Sequence, residues 1–509
     1  MQLKSLEYVL FILITVISYY SLYRVRGAQR FVILVANLFF IYSASGLFSL
    51  AVITILCTAQ FLIGIQIEKA VTEGRNKAAA AFMWIGVLLP LGVLCYFKFF
   101  SRTLDVLRDY ISSHGATSLL ALVMPIGLSY YTLSMIAYSV DIYHKKHEAE
   151  KSWPDFLVFI TFFPSIIEGP INLYKKTAPQ FKTDHAPSEN NIIPGLQRCL
   201  WGYIKKVVIA DRIGIVVNAI LGDDNSVMFT LIWAMILFFF QMYADFSGGI
   251  DVIMGIAEIL DIRLTENFRS PFVSKSVTEF WQRWHISLGE FMEKYIYYPT
   301  VLNRRMMRIS KKIPSKYMQK CFSATVASIF VFILVGIWHG TGWNYVVYGC
   351  YQAFFVSTAV LLAPLYKKSK SALHINEESL SWNIFKVLRT FCILDIGMYF
   401  ARAADLETAI DWLKRSFSGF KLSSIHIIFD GTLTQYGLDE KNIGLMYICI
   451  LVLILVDILH DKGIRMRQLL MKQDIVFRYA VYLAGIFIII IFGIYGYGFE
   501  KSSFIYQGF

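Results

Sequence analysis

Charged side chains are scarce in this 509-residue chain. Asp, Glu, Lys and Arg make up 17% of it, and 56% of its residues are hydrophobic. A typical soluble domain is about one quarter charged, so this composition indicates a membrane protein. The net charge of +12 does not point to nucleic acid, because the basic residues cluster in short loops between apolar runs. We therefore expect membrane lipids and no nucleic acid as partners.

Familiar catalytic and metal-binding signatures are also missing. The chain has no G-x-S-x-G elbow, no phosphate-binding glycine loop and no H-E-x-x-H helix. Its seven cysteines form no C-x-x-C pair and most lie in apolar runs, which argues against a disulfide framework or a zinc ribbon. We expect them to be small core residues, and we expect no metal and no tightly bound cofactor.

Long apolar runs are what the chain has instead. About 20 apolar residues suffice for a helix to cross a bilayer. Residues 31–67 are uncharged and contain a turn signal at Ser43 to Gly46, which predicts two helices. Further predicted spans are residues 78–97, 115–140, 227–244, 340–366 and 479–499, with shorter ones at 322–338 and 444–456. This pattern predicts an all-α polytopic protein with about ten to thirteen membrane helices, formed by residues 1–509 as a single membrane domain with C-terminal helices at 380–499. Residues 8–22 are expected to be a retained first helix.

Loop charge predicts the topology. Seven basic residues and no acidic one lie between Arg304 and Lys320, and smaller basic clusters lie at 23–30 and 367–370. Positive loops remain in the cytoplasm. The end of the predicted helix at His339 is then expected to face away from the cytoplasm. The basic cluster could attract an anionic donor, although a purely topogenic role is the simpler interpretation.

Three segments match neither ordinary spans nor ordinary loops. Residues 156–167 are uncharged but too few to cross, which predicts a re-entrant or tilted segment. Residues 196–221 mix apolar and charged residues as an interfacial helix would. Residues 277–298 carry an aromatic stripe at steps of three and four, which predicts an amphipathic helix that ends at Pro299.

Two tryptophan–histidine pairs are the strongest candidates for chemistry. His339 is the only ionisable histidine in residues 322–366, a stretch without Asp, Glu, Lys or Arg, and glycines flank it. Ionisable residues at membrane depth are costly and often functional. For His285, in Trp284-His285, a membrane-anchoring role in an interfacial aromatic belt is as well supported as a functional role. Asp245 could orient a histidine, but a helix N-cap is slightly favoured.

Four sequence blocks resemble the membrane-bound O-acyltransferases, in particular the branch of bacterial alginate O-acetyltransferases. They cover about residues 120–350 in the order of the family. The blocks are Pro125 to Thr132 with Asp141-Ile142-Tyr143, Phe162-Phe163-Pro164 with Gly169-Pro170-Ile171, Tyr243 to Gly248 with Glu266-Asn267-Phe268 and Pro271-Phe272, and Phe280 to Ser287 with Trp338-His339-Gly340 and Trp343. Glu168 departs from the small residue that relatives usually carry before Gly-Pro.

The resemblance implies a fold and a set of site residues. It implies a ring of tilted helices, with re-entrant and amphipathic segments, around a central funnel. His339 corresponds to the essential histidine of the family and His285 to its partner. The residues expected to line or support the funnel are Trp281, Arg283, Trp284, Trp338, Asn344, Asp245 and Ser247.

The implied activity is transfer of an acetyl group from acetyl-CoA, or another cytoplasmic acyl thioester, across the membrane. The final acceptor would be an extracytoplasmic polysaccharide or peptidoglycan. No glycan-binding domain is evident, so we expect a separate extracytoplasmic partner protein resembling the SGNH hydrolases, and a bacterial cytoplasmic (inner) membrane location. Two alternatives stay open: D-alanyl transfer from a carrier protein to teichoic acid, and a proton-coupled transporter.

Overall fold

The computed structural model describes residues 5–100, 124–224, 226, 228–418 and 422–495, and these form helices joined by turns. Secondary structure of this kind satisfies backbone polar groups within each segment, as the hydrocarbon of a bilayer requires. The chain divides into two compact units. One comprises residues 1–199 and 249–265, and the other comprises residues 200–248 and 266–509. The prediction of a single membrane domain stays a prediction.

The first part of the chain forms the helices α1 Leu6–Ser21, α2 Ala28–Thr72, α3 Asn76–Phe99, α4 Leu128–Tyr143, α5 Trp153–Thr161, α6 Tyr174–Thr177 and α7 Glu189–Tyr203. A 3₁₀ turn, Ala178–Lys182, follows α6. Helix α2 is interrupted at Gly46, whose φ of 75° lies in the left-handed region, so the turn signal predicted there is confirmed. The predicted span 115–140 lies partly outside the described residues, and α4 occupies its end.

Buried amides hold the first unit together. Gln60 of α2 donates from Nε2 to the carbonyls of Gly86 and Met135, at 3.2 and 3.0 Å, and thereby joins α2, α3 and α4. Asn37 accepts a hydrogen bond of 2.8 Å from the backbone N–H of Phe163. That bond lies just after α5, a helix of nine residues, so the segment 156–167 does not cross as one helix.

The chain then continues through a π-helical stretch, Ile204–Ala210, and through α8 Asp211–Leu221, α9 Phe229–Ile259, α10 Val277–Arg283, α11 Ile286–Met292, a second π-helical stretch Glu293–Tyr297, α12 Tyr298–Val301 and α13 Arg304–Ser310. The remaining helices are α14 Lys316–His339, α15 Trp343–Leu361, α16 Ala363–Ala372, α17 Leu380–Arg402, α18 Leu406–Phe417, α19 Glu440–Asp461, α20 Met466–Met471 and α21 Ile475–Phe492. Short 3₁₀ turns are Pro271–Val273, Leu422–Ile428 and Thr432–Tyr436.

Six helices within the described residues are long and apolar enough to cross a membrane, or seven if the bent pair α15 and α16 counts as one span. This number is lower than the ten to thirteen predicted. One reason is that α1 has 16 residues and falls short of the required length. Another is that α17 carries Lys386, Arg389, Asp395 and Arg402 within a largely apolar sequence. The end of the predicted span 479–499 lies outside the described residues.

Two predictions about single segments differ from the structure. The interfacial helix expected over residues 196–221 is instead packed into the protein at Lys205, Lys206 and Arg212, which are buried. The cysteines are not all core residues either, because Cys350 and Cys392 are exposed. Apolar side chains face outward on several long helices, as in a protein surrounded by lipid.

Candidate active site

The α14–α15 hairpin places His339. Gly336 of α14 lies against the carbonyl of Tyr345, and Gly349 of α15 lies against the carbonyl of Phe332, so that a Cβ on either glycine would clash with backbone. Small residues of this kind let two membrane helices approach closely. His339 is the last residue of α14, and the chain turns at Gly340 into α15. The histidine therefore lies on a tightly packed helix end.

The ring of His339 is buried and held in one orientation. Its Nδ1 donates to the backbone carbonyl of Val335, at 2.7 Å. A carbonyl oxygen only accepts, so Nδ1 carries the proton when the ring is neutral. The lone pair of the neutral ring then belongs to Nε2. This is the tautomer required of a general base that acts through Nε2.

His285 lies at a break between two helices. Its φ of 49° is left-handed, α10 ends at Arg283 and α11 begins at Ile286. The segment 267–269 runs alongside this break. The carbonyl of Asn267 accepts from the N–H of Ile286 at 3.0 Å, and the N–H of Arg269 donates to the carbonyl of Arg283 at 2.9 Å. The prediction of one continuous amphipathic helix ending at Pro299 is therefore wrong, because tertiary hydrogen bonds interrupt it at His285 and the helical path continues to Val301.

Aromatic rings bring the two histidines together around Trp338. The His285 and Trp338 ring centroids are 6.0 Å apart, and those of Trp338 and His339 are 5.0 Å apart. Phe246 packs edge-on against His285 at 5.0 Å. Tyr348 lies edge-on to His339 at 6.4 Å. Both histidines thus occupy one apolar, water-poor environment, in which polar contacts are stronger than in water.

Burial controls the charge of His285. Its side chain is 1% exposed. Desolvation, and to a lesser extent the nearby His339, lowers the pKa of His285 to about 3. The ring is therefore neutral near pH 7, when it can donate from one nitrogen and accept at the other. A neutral His285 is suited to hydrogen bonding with a substrate.

The other tryptophans and Arg283 have distinct positions. Trp284 is buried and stacks on Phe280 at 5.4 Å. Trp281 is partly exposed, and its Nε1 donates to Oε1 of Gln352 at 3.3 Å. Arg283 forms ion pairs with Asp461 at 2.6 Å and with Glu279 at 2.8 Å. Arg283 thus joins α10 to the end of α19.

Asn344 anchors the start of α15. Its Nδ2 donates to the carbonyls of Phe400 and Ala403, at 3.0 and 2.9 Å. These carbonyls lie at the end of α17, where the last turn of a helix leaves carbonyl groups without partners in the helix. Asn344 therefore supports the hairpin turn that follows His339.

Asp245 and Ser247 belong to a buried network with two lysines. Asp245 forms an ion pair with Lys206, which also pairs with Asp211 at 3.0 Å. Lys205 donates to the hydroxyl of Ser247 at 2.8 Å. Asp245 lies in the interior of α9, so the favoured prediction of an N-cap is wrong. The network fixes the turn of α9 that carries Phe246 against His285.

Several residues near the site were not predicted from the sequence. Tyr348 and Gln352 follow Asn344 at steps of four on the buried face of α15, a spacing that marks one helix face and was available in the sequence. Phe246 and Asn267 lie within the blocks that carry the family resemblance, but their roles depend on contacts that no local pattern reveals. Lys206 looked like a charge of an interfacial helix.

The basic cluster lies far from His339. It covers α13 and the first turns of α14, whereas His339 ends α14 after 24 residues. At about 1.5 Å per residue the two ends are roughly 35 Å apart, which is comparable to a bilayer. The two ends of α14 can therefore lie on opposite sides of a membrane, and which of them faces the cytoplasm stays a prediction from loop charge.

Comparisons with known proteins identify the family of the chain. The family described as the membrane-bound O-acyltransferase family matches residues 34–396. The chain is 28% identical to a probable alginate O-acetylase of Pseudomonas syringae pv. tomato, over 75% of this chain and 71% of the relative. It is 29% identical to a peptidoglycan O-acetyltransferase of Helicobacter pylori, over 67% of this chain and 65% of the relative. It is 25% identical to a teichoic acid D-alanyltransferase of Bacillus subtilis, over 64% and 79% respectively.

Proposed function

Because the chain belongs to the membrane-bound O-acyltransferase family and is a multi-pass membrane acyltransferase, we propose that it transfers an acetyl group from acetyl-CoA to an extracytoplasmic acceptor. The observation that carries this proposal is the arrangement of His285, Trp338 and His339. It offers one oriented base and one neutral histidine in a dry site. Thioesters are activated acyl donors, so such a site needs no further activating group.

In the proposed reaction, the oxygen of an acceptor hydroxyl attacks the thioester carbonyl, and Nε2 of His339 takes the proton of that hydroxyl. The C–S bond then breaks, and the leaving thiolate receives that proton from His339. A base in this role contributes about 10²- to 10⁴-fold to the rate. We propose that His285 hydrogen-bonds donor or acceptor, and that Trp281, Trp284 and Trp338 exclude water.

We propose a bacterial cytoplasmic membrane as the location, with the donor entering on the side of the basic cluster at Arg304 to Lys320. The final acceptor would be a polysaccharide or peptidoglycan. The proposed intermediary is a separate extracytoplasmic protein resembling the SGNH hydrolases. The relatives named for alginate and for peptidoglycan support a glycan acceptor without choosing between the two.

D-alanyl transfer from a carrier protein is the second candidate. It has the support of the teichoic acid D-alanyltransferase relative, which is the least similar of the three compared. Since the family match identifies an acyltransferase, the transporter alternative is not retained.

The test is donor preference in membranes that contain the protein. Radiolabelled acetyl-CoA and a D-alanyl thioester of a carrier protein are supplied separately to membranes with and without the chain. We expect label from acetyl-CoA to reach envelope glycan or an extracytoplasmic protein only when the chain is present. Incorporation of D-alanine alone would refute the acetyl proposal and favour the second candidate.

A further inference from the structure

Asn267 lies against the His285 break with a side chain that is 0% exposed. Its backbone carbonyl accepts from Ile286, the residue after His285. The next residue, Phe268, packs on Phe246 at 5.0 Å, and Phe246 packs on His285 at the same distance. Asn267 therefore shares its immediate surroundings with a histidine of the candidate site.

The orientation of the Asn267 amide follows from its partners. Oδ1 accepts from the backbone N–H of Ser287 at 3.0 Å and from its hydroxyl at 2.9 Å. A backbone N–H only donates, so the atom facing it must be the oxygen and cannot be the nitrogen. The amide plane is held by these two bonds, and Nδ2 is directed away from Ser287.

Nδ2 is buried and has no hydrogen-bond partner among the residues that the structure describes. Buried polar groups are nearly always hydrogen-bonded, so an exception calls for a specific explanation. Nδ2 offers two N–H donors and no acceptor. Any hydrogen-bond acceptor would satisfy it, and an oxygen that carries or develops negative charge would form the strongest bond.

We propose that Asn267 is a further catalytic residue, whose Nδ2 donates a hydrogen bond to the carbonyl oxygen of the acyl group during transfer. This inference rests on the proposed function. When the acceptor oxygen attacks, the carbonyl π electrons move to the oxygen, which becomes an oxyanion. They return as the C–S bond breaks, while His339 carries the proton from acceptor to thiolate. A donor fixed before the reaction stabilises the oxyanion without reorganisation.

The Asn267 side chain also positions the chain at Ser287 through Oδ1. The test must therefore separate the role of Oδ1 from that of Nδ2. Asn267→Asp keeps an oxygen that can accept from Ser287 and replaces the NH₂ group by a second oxygen. The ionised carboxylate of this variant has no donor, whereas its protonated form regains an O–H donor. Burial raises the pKa of a carboxyl group, so acid within the assay range restores the donor.

We expect Asn267→Asp to lose about 10²- to 10³-fold in kcat at about pH 8.5, with little change in the KM for acetyl-CoA. The ratio of its kcat to that of the wild type should rise as the pH is lowered to about 5.5. A structural defect caused by the buried carboxylate would also ease on acidification, but it would lower the folded fraction in parallel, so folding is measured at each pH by monodispersity in detergent. For equally folded protein, a ratio that does not change with pH means that protonation restores no donor. A ratio that stays flat therefore overturns the proposal.

Two further variants complete the design. Ser287→Ala removes the hydroxyl donor but keeps the backbone N–H on Oδ1, so we expect kcat within a few-fold of the wild type. Asn267→Leu removes both functions and should lose at least as much kcat as Asn267→Asp at about pH 8.5. Wild-type turnover by a folded Asn267→Leu variant also overturns the proposal. Absence of acetyl transfer by the wild type refutes the proposed function instead, so the two failures are distinguishable.

Discussion

Lys206 provides the sharpest prediction about stability. Its side chain is 1% exposed and pairs with two carboxylates, those of Asp245 and Asp211, which are 2% and 6% exposed. Lys206→Met keeps an unbranched chain of similar length and removes the charge. Two buried carboxylates then lose their cation, and because both contact the same ammonium group in the wild type they lie close enough to repel each other.

The size of the effect follows from burial. Removing one partner of a buried ion pair costs about 3–5 kcal/mol, because the remaining charge stays desolvated. Lys294→Met is the matched control: its pair with Glu290 is 3.9 Å long, and the two side chains are 42% and 32% exposed. An exposed pair at this spacing contributes about 0.5 kcal/mol or less. The two substitutions are chemically identical and differ in burial.

Thermal unfolding in detergent, followed by tryptophan fluorescence, measures the difference. We expect Lys206→Met to melt well below the wild type and Lys294→Met to melt with it. Adding Asp211→Asn and Asp245→Asn to Lys206→Met removes all three charges and should recover part of the loss. Equal melting of the two lysine variants would refute the assignment of Lys206 as the centre of a buried network.

Three more predictions concern the hairpin, His285 and Asn344. Gly349→Leu should unfold the protein or abolish activity, because the new side chain would meet the backbone of α14. Gly444→Ala is the control: a Cβ at Gly444 would have no other atom within 4 Å, so this variant should be neutral or slightly stabilising in the same melting assay. Burial lowers the pKa of His285 to about 3, so below about pH 6.5 the unfolded chain takes up a proton that the folded protein does not. The free energy of unfolding should therefore fall by up to about 1.4 kcal/mol per pH unit on acidification toward pH 3. Thermal melts at several pH values should show a smaller slope for His285→Phe. Asn344→Ala should cost about 1–3 kcal/mol, measured as a lower Tm, because two carbonyls at the end of α17 lose their donor.

The sequence allowed much of this architecture to be predicted, for physical reasons that differ between elements. Gly46 reveals a break because few other residues adopt a left-handed turn at low cost. His339 stands out because it is isolated in an uncharged stretch between glycines. Both signals are local.

The break at His285 could not be predicted in this way. The aromatic stripe of residues 277–298 is compatible with an unbroken helix. The break depends on hydrogen bonds that the backbone makes with Asn267 and Arg269, which lie in a separate segment. The partner of Asp245 is likewise 39 residues away in the chain. Such contacts depend on tertiary structure, which overrides local pattern.

His339 is the proposed base of this acyltransferase, and the comparison of His339→Ala with the wild type tests that role. Acetyl transfer from labelled acetyl-CoA is measured in membranes, with folding checked by monodispersity in detergent. His374→Ala, at an exposed histidine, is the matched control. We expect the loss of a general base to lower transfer by about 10²- to 10⁴-fold in His339→Ala and to leave His374→Ala unchanged. A folded His339→Ala variant with wild-type transfer would contradict the account.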